Sequence, residues 1–169
     1  IRFYRELEGT SAFRAPERWS GLRLDEFDAL LLPGGHAPGM RQYLGSETLA
    51  RQTAELWKRG VPVAAICHGV LVLARARDPA SGQSVLRHAR TTCLPAYMEH
   101  LAYALTFWKL GRYYRTYPET VEAEVRTALA DPAAQFERGP VTLGRRGTRD
   151  DDAPCFVVED GHYVSARWP

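Results

Sequence analysis

The chain has 169 residues, of which 45% are hydrophobic, so it is long enough to bury the core of one ordinary domain. Its 22 basic and 20 acidic side chains leave a net charge of +2 and form no long basic run, which argues against nucleic acid as a partner. No stretch approaches the roughly 20 apolar residues that span a bilayer, and the first residues lack a signal-peptide pattern, so we expect no membrane partner and a cytoplasmic location.

The first predicted strand ends in a glycine loop. Phe27 to Leu32 is an apolar run that predicts a buried strand, and Pro33-Gly34-Gly35 closes it with residues of unusual backbone freedom. Ser46 then predicts the N-cap of a helix, and Gly60 predicts its end.

The second predicted strand ends in a cysteine. Val61 to Ile66 predicts a strand buried on both faces and Val70 to Arg77 a helix, so Cys67 falls on the corner between them. With the preceding strand and helix, this order predicts a right-handed βαβ unit and a parallel sheet. On the local pattern alone, Cys67 fits a reactive thiol or a small core residue equally well.

Two helices with apolar faces are predicted in the second half of the chain. The first covers Glu99 to Leu110, and the second has Pro118 in its first turn. The residues that share a face are Leu101, Leu105 and Trp108 in the first helix and Val121, Val125 and Leu129 in the second.

A strand and a hairpin complete the prediction. Arg90 to Leu94 is a candidate third strand that carries Cys93. Near the end of the chain, Asp160-Gly161 lies between two apolar runs and predicts a hairpin. The intervening segment, 144–154, has no apolar periodicity, so its acidic triplet is expected to be solvated rather than to bind a metal. The odd number and wide spacing of Cys67, Cys93 and Cys155 indicate free thiols.

The glycine loop and the cysteine corner are expected to meet at one edge of the sheet, because the carboxyl ends of parallel strands form the ligand-binding edge of an open sheet. Backbone N–H groups of the glycine loop and of His68 could then converge on an oxyanion formed when the Cys67 thiolate adds to a carbonyl. The helix that begins near His68 is expected to lower the pKa of the thiol.

Two motifs carry a family resemblance: Asp28-Ala-Leu-Leu-Leu-Pro-Gly-Gly-His36 and, after a gap of about thirty residues, Ala65-Ile-Cys-His-Gly69. Paired in this way, they make the chain resemble the ThiJ/PfpI superfamily, closest to its branch of heat-shock chaperones and glyoxalase III-like enzymes. The resemblance implies an α/β fold of the class I glutamine amidotransferase type, a flavodoxin-like three-layer sandwich with a mostly parallel sheet. It also implies a single domain over residues 1–169, truncated at both ends, with a helical insertion at about 95–140.

The resemblance also implies roles for particular residues. Cys67 is the nucleophile, His68 its general base, and the amides of Gly35 and His68 form the oxyanion hole. Gly34 and His36 line the substrate pocket. Glu99 is the candidate acidic member of the triad, although a solvated position in the first turn of a helix suits it equally well.

Two features of the family are not matched. A histidine at the position of His36 has been associated with metal in the chaperone branch, but no second ligand stands at a recognisable spacing, so neither a metal nor another cofactor is predicted.

The family glutamate that hydrogen-bonds the cysteine follows a first strand. Glu6 and Glu8 lie too close to the glycine-loop strand to replace it, so we expect that the N-terminal strand, helix and strand are missing from this chain.

The resemblance implies a cysteine-dependent enzyme acting on small reactive carbonyls, such as methylglyoxal, through a hemithioacetal at Cys67 and without glutathione. Two alternatives stay open: a C–N hydrolase or hydratase with the same nucleophile, and a stress-response chaperone or redox sensor without turnover. A homodimer is suggested by the resemblance alone, since the sequence gives no independent sign of an interface. The aromatic residues of the insertion are expected to pack over the site, whereas a chaperone would expose them. They are Tyr97, Tyr103, Phe107, Trp108, Tyr113, Tyr114 and Tyr117.

Overall fold

The computed structural model describes residues 2–142, 145 and 147–167. The strands are β1 (Leu30–Leu32), β2 (Val63–Ile66), β3 (Val157–Asp160) and β4 (Tyr163–Ala166). The helices are α1 (Arg2–Glu8), α2 (Ser11–Arg14), α3 (Met40–Leu44), α4 (Glu47–Lys58), α5 (Val70–Arg75), α6 (Ala96–Leu110), α7 (Val121–Ala128) and α8 (Pro132–Gln135). In the described part of the chain, no helix has the length and apolar character needed to cross a membrane.

The strands form one mostly parallel sheet in the order β1-β2-β4-β3. β1 and β4 flank β2 in parallel, and β3 pairs with β4 as an antiparallel hairpin. The two interior strands are the most enclosed: Val63 and Ala65 of β2 are each 1% exposed, and Tyr163 and Ser165 of β4 are fully buried. The βαβ unit, the parallel sheet and the hairpin predicted from the sequence are all confirmed, and Gly161 takes the positive φ of 60° that the hairpin turn requires.

The prediction of a strand at Arg90 to Leu94 is wrong. The sheet position beside β2 belongs to β4, and Thr91 forms only an isolated bridge to Phe136. The segment is instead fixed by side chains of the hairpin, since the Thr92 N–H donates to Oγ of Ser165 at 2.9 Å. Four consecutive buried residues, Thr91 to Leu94, look like a strand in sequence whether a ladder or isolated hydrogen bonds hold them.

Helix α4 follows its sequence signals closely. The Ser46 hydroxyl accepts the Leu49 N–H at 3.2 Å, and Gly60 has the positive φ, 71°, of a residue that ends a helix. Its buried face includes Leu49, which belongs to the hydrophobic core, and the helix packs against α5, which in turn packs against α7. The apolar face predicted for α7 is also confirmed, because its members Val121, Val125 and Leu129 are buried.

Helix α6 departs from its prediction. The three residues that share its apolar face are exposed, Leu101 by 43%, Leu105 by 65% and Trp108 by 75%. The prediction that the insertion's aromatic residues pack over the site is therefore wrong for Phe107 and Trp108, because both residues are mostly exposed. An apolar stripe on a helix shows which face can be buried, but it does not show whether another part of the same chain packs against that face.

Candidate active site

Cys67 occupies a strained corner directly after β2. Its φ is 58°, and it is the only non-glycine residue with a positive φ in the described ranges. A single 3-10 turn, Cys67–Gly69, joins the strand to α5. Side chains other than glycine avoid this region of φ at a cost of about 1–3 kcal/mol, and such strain is characteristic of a nucleophile elbow.

Two glycines allow the glycine loop to lie against this corner. A Cβ on Gly34 would lie 2.6 Å from Cβ of Cys67 and 2.7 Å from the carbonyl oxygen of Ile66. A Cβ on Gly69 would overlap the carbonyl oxygen of Leu32. Both distances are far shorter than real contacts of a Cβ atom. The two loops can therefore pack this closely only because Gly34 and Gly69 have no side chains.

The thiol has the partners that the sequence predicted. Sγ of Cys67 lies 3.5 Å from Nδ1 of His68, and the backbone N–H groups of Gly35 and His68 donate to the sulfur. Cys67 is 2% exposed and His68 is fully buried. The Cys67 thiol, the His68 ring and both candidate oxyanion-hole amides thus lie within one cluster.

The expected lowering of the thiol pKa is wrong for this structure. Burial raises the pKa of Cys67 to about 12, the amides of His68 and Gly35 oppose that rise, and the charge of Glu99 adds to it. Helix α5 has only six residues, so its dipole is a small correction against burial of the charged form. The substrate-free protein therefore holds Cys67 as a neutral thiol at neutral pH.

The His68 imidazole is neutral and able to accept a proton. Burial lowers its pKa to about 3, and the charges of His36 and Arg75 lower it further. Its Nε2 has no hydrogen-bond partner within the described chain. A ring with so low a pKa is too weak a base to ionise the resting thiol, so proton transfer from Cys67 to Nδ1 can only accompany the formation of a bond to carbon.

His36 brings a third potential ligand to the cluster. Its ring centroid is 4.5 Å from that of His68 and 4.8 Å from that of Tyr114. Ligand atoms of His36, Cys67 and His68 all lie within 4.8 Å of one another, a nitrogen and sulfur set that suits Zn²⁺. The spacing of these residues along the sequence did not predict a set of three ligands, because His36 and Cys67 lie on separate loops that only the fold brings together.

Glu99 is buried rather than solvated, so the solvated alternative for this residue is wrong. It is 1% exposed, and its Oε2 accepts the N–H of Val121 at 3.0 Å. Burial raises the pKa of its carboxyl group. Its charge acts on the Cys67 thiol, but it makes no hydrogen bond to His68 in the described chain. Glu6 and Glu8 are exposed on α1.

A largely apolar cavity of about 330 Å³ adjoins these residues, and His36 and Glu99 supply its ionisable groups. The rest of its wall comes mainly from helix α6, together with Leu94 and Tyr114. Gly34 serves the packing between the loops, whereas His36 faces the cavity. Tyr114 packs against His36 at the site, as expected for the aromatic residues of the insertion, whereas sequence reasoning missed Leu94, which stands in no motif.

Two parallel strands that end in interlocked loops, with a nucleophile on the corner of the second, define a class of α/β proteins built around an elbow. A sequence model described as ThiJ/PfpI family-like matches residues 1–140. The chain belongs to the ThiJ/PfpI family, as its two motifs predicted.

Similar proteins include a deglycase of Pyrococcus abyssi, 37% identical over 84 residues, which are 50% of this chain and 45% of that protein. Protein/nucleic acid deglycase 2 of Escherichia coli is 51% identical over 49 residues, or 28% of this chain and 27% of that protein. The chain thus spans less than half the length of these curated relatives. Glyoxalase III of Candida albicans has the same fold, with a TM-score of 0.66 at 18% identity over 98% of this chain and 63% of that one.

Proposed function

We propose that this protein is a cysteine-dependent enzyme that converts small α-oxoaldehydes such as methylglyoxal into 2-hydroxy acids without glutathione. The observation that carries the proposal is the cluster at the elbow, in which a strained Cys67 faces a neutral His68 and two backbone N–H donors. The names of the relatives, deglycases and a glyoxalase III, support chemistry on reactive carbonyls.

The reaction begins when the sulfur of Cys67 bonds to the aldehyde carbon. Nδ1 of His68 takes the thiol proton, and the aldehyde oxygen becomes an oxyanion that accepts hydrogen bonds from the amides of Gly35 and His68. Protonation of that oxygen gives the hemithioacetal. The proton moves as the sulfur bonds to carbon, because the negative charge that develops on the oxyanion raises the pKa of the His68 ring, which is too weak a base to ionise the resting thiol.

The hemithioacetal then loses the hydrogen on its former aldehyde carbon as a proton, which gives an enediol. Protonation of the neighbouring carbon produces a 2-hydroxy thioester on Cys67, and water hydrolyses it to the hydroxy acid and the free thiol. The net reaction adds one water to the oxoaldehyde, and no external oxidant or reductant is needed. We assign the carbon-to-carbon proton shuttle to Glu99, because it lines the cavity and burial raises its pKa towards the useful range.

The same nucleophile could accept an oxoaldehyde that has already added to an amine. Attack by sulfur at the carbon that bears the amine would release the amine and leave the same hemithioacetal. The deglycase names of the relatives favour this C–N variant as a second substrate class. Both classes share every step after the hemithioacetal.

A chaperone-like function without turnover is the second candidate, and one observation favours it. The face of α6 formed by Leu101, Leu105 and Trp108 is exposed, and exposed apolar faces of this kind bind unfolded chains. Suppression of aggregation that survives Cys67→Ala but is lost in Trp108→Ser would support it.

The enzymatic proposal is tested by lactate formation from methylglyoxal in ²H₂O. We expect Cys67→Ala to lower the rate at least about a hundredfold, since removing a nucleophile typically costs that much or more. Cys155→Ser is the matched control, because Cys155 is an exposed thiol outside the cluster, and its rate should match that of the parent. Lactate from the parent should carry deuterium at C2 to the extent that the proton held by Glu99 exchanges with solvent between the two transfers. Unchanged lactate formation in Cys67→Ala would refute the proposal.

A further inference from the structure

A second cavity, of about 180 Å³, also has His36 in its wall. Its charged lining residues are Arg41, Arg112 and Arg115, and no acidic residue lines it. A His36 nitrogen lies within 4.8 Å of the Cys67 sulfur. The imidazole of His36 therefore connects a strongly cationic cavity to the nucleophile.

The three arginines form no ion pair with a carboxylate of the described residues. Arg75, Arg90, Arg126 and Arg138 each form an ion pair with a glutamate, whereas none of the cavity arginines pairs with a carboxylate of the described residues. Nε of Arg41 donates to the carbonyl oxygen of Thr116 at 3.0 Å. Arg115 contacts the His100 ring and a backbone carbonyl. These partners leave both positive charges uncompensated.

Aromatic rings help to hold two of the guanidinium groups in position. Arg41 lies over the ring of Tyr117, 5.9 Å from its centroid, and Arg115 lies over the ring of Tyr103 at 6.0 Å. Guanidinium groups fixed by stacking lose little further entropy when they bind an oxyanion, which makes the cavity a preorganised site. Arg112 is exposed and makes no side-chain hydrogen bond or ion pair with the described residues.

The positive field extends to the reaction site. Burial raises the pKa of the Glu99 carboxyl group, and the charge of Arg115 opposes that rise. Since Glu99 also acts on Cys67, a group bound among the arginines would lie in electrostatic contact with the residues that carry the carbonyl chemistry.

We propose that this cavity is an anion subsite, and that the enzyme prefers carbonyl compounds whose chain carries a carboxylate or a phosphate. The two anionic groups share the chemistry that the arginines recognise, namely oxygen atoms that accept paired N–H donors. The inference rests on the proposed function, because the subsite serves to deliver the carbonyl to Cys67.

The subsite is tested first by a binding measurement that needs no turnover. The imidazole NMR signals of His36, assigned with a His36→Gln variant, are followed during titration with succinate, inorganic phosphate or succinamide. We expect saturable shifts with the two anions and none with neutral succinamide. Arg112→Gln should weaken anion binding by about tenfold, the usual effect of losing one charge-assisted hydrogen bond. The matched control is Arg51→Gln, which removes the same charge from an exposed position on α4 and should bind like the parent.

Substrate preference is tested with 4,5-dioxopentanoate, an α-oxoaldehyde with a terminal carboxylate, against its primary amide. The parent should have a higher kcat/KM for the acid than for the amide, and Arg112→Gln should reduce this ratio mainly through KM. Anions that leave His36 unshifted, or equal binding by Arg112→Gln and the parent, would overturn the subsite. Binding of phosphate but not succinate would assign the subsite to phosphate alone. Turnover that survives Cys67→Ala refutes the carbonyl chemistry and leaves the NMR result to decide the subsite by itself.

Discussion

Glu99 and Glu122 cap each other's helices. The carboxylate of Glu99, in the first turn of α6, accepts the N–H of Val121, the first residue of α7, at 3.0 Å. The carboxylate of Glu122, in the first turn of α7, accepts the N–H of Ala96, the first residue of α6, at 2.9 Å. The two carboxylates differ in charge compensation, because Arg126 and Arg138 pair with Glu122 and no arginine pairs with Glu99 in the described ranges.

This pair separates the carboxyl group that we propose to be catalytic, that of Glu99, from a structural one. Glu99→Gln keeps an oxygen for the Val121 N–H but removes the proton carrier, so we expect kcat to fall by at least about tenfold with the fold retained. Glu122→Gln loses two ion pairs, so its activity should be retained while its free energy of unfolding falls by about 1–3 kcal/mol. Equal activity of Glu99→Gln and the parent would remove Glu99 from the mechanism.

Glu99 also predicts a pH dependence of stability. Burial raises its folded-state pKa above the unfolded value, so its contribution is fully present below the unfolded pKa and is lost as pH rises through the folded pKa. Relative to the parent, Glu99→Gln should therefore gain stability between about pH 5 and about pH 8. Urea unfolding at the two pH values measures the difference, and a change of opposite sign would contradict the raised pKa.

The raised pKa of Cys67 predicts slow alkylation of the resting enzyme. Because the thiolate forms only as pH approaches about 12, iodoacetamide should label Cys67 at least about tenfold more slowly than exposed Cys155 at neutral pH. Peptide mass spectrometry gives both rates from one sample. The rate at Cys67 should keep rising with pH, whereas a plateau below about pH 8 would indicate a thiolate stabilised in the resting state.

The ligand atoms of His36, Cys67 and His68 predict reversible inhibition by Zn²⁺. Metal binding replaces the thiol proton, so affinity should increase with pH. Cobalt offers a direct measurement, because a thiolate-to-cobalt absorption band should be present in the parent and absent in Cys67→Ala. His36→Asn should weaken binding by at least about tenfold. Inhibition of equal strength in His36→Asn would exclude this residue as a ligand.

The interlocked loops predict a severe effect of a single methyl group. Gly69→Ala places Cβ against the carbonyl oxygen of Leu32, so we expect a loss of about 3 kcal/mol or more in the free energy of unfolding, together with loss of activity. Gly39→Ala is the control, because a Cβ at this position would meet open space and the φ of −66° suits alanine. Thermal unfolding of the two variants should differ by many degrees.

The elbow was predictable from sequence because its causes are local. An apolar run followed by Cys67 and Gly69 specifies a strand that must turn sharply, and Gly34 occurs where the facing loop must come close. The hairpin at Gly161 and the α4 cap at Ser46 have equally local causes. Such features depend on backbone conformation within a few residues, which sequence encodes directly.

The remaining features depend on contacts between distant segments. The burial that raises the pKa of Cys67 comes from the packing of several elements, and sequence suggested only the opposing effect of the helix. The periodicity of apolar residues could not show whether Trp108 is exposed or buried. Likewise, Arg41 meets Arg112 and Arg115 only because α3 and the segment after α6 fold together around His36.

The contact between Gly69 and Leu32 makes the reactive corner dependent on the pairing of the first two strands. Leu32 is the last residue of β1 and pairs with Ala65 of β2, two residues before the cysteine. If β1 detaches, the amide of Gly35 leaves the sulfur and the corner loses the loop that holds it. Under the proposed function, reactivity therefore requires the pairing of β1 and β2, and a chain in which these strands are apart would have no preassembled nucleophile with which to modify bystander carbonyls.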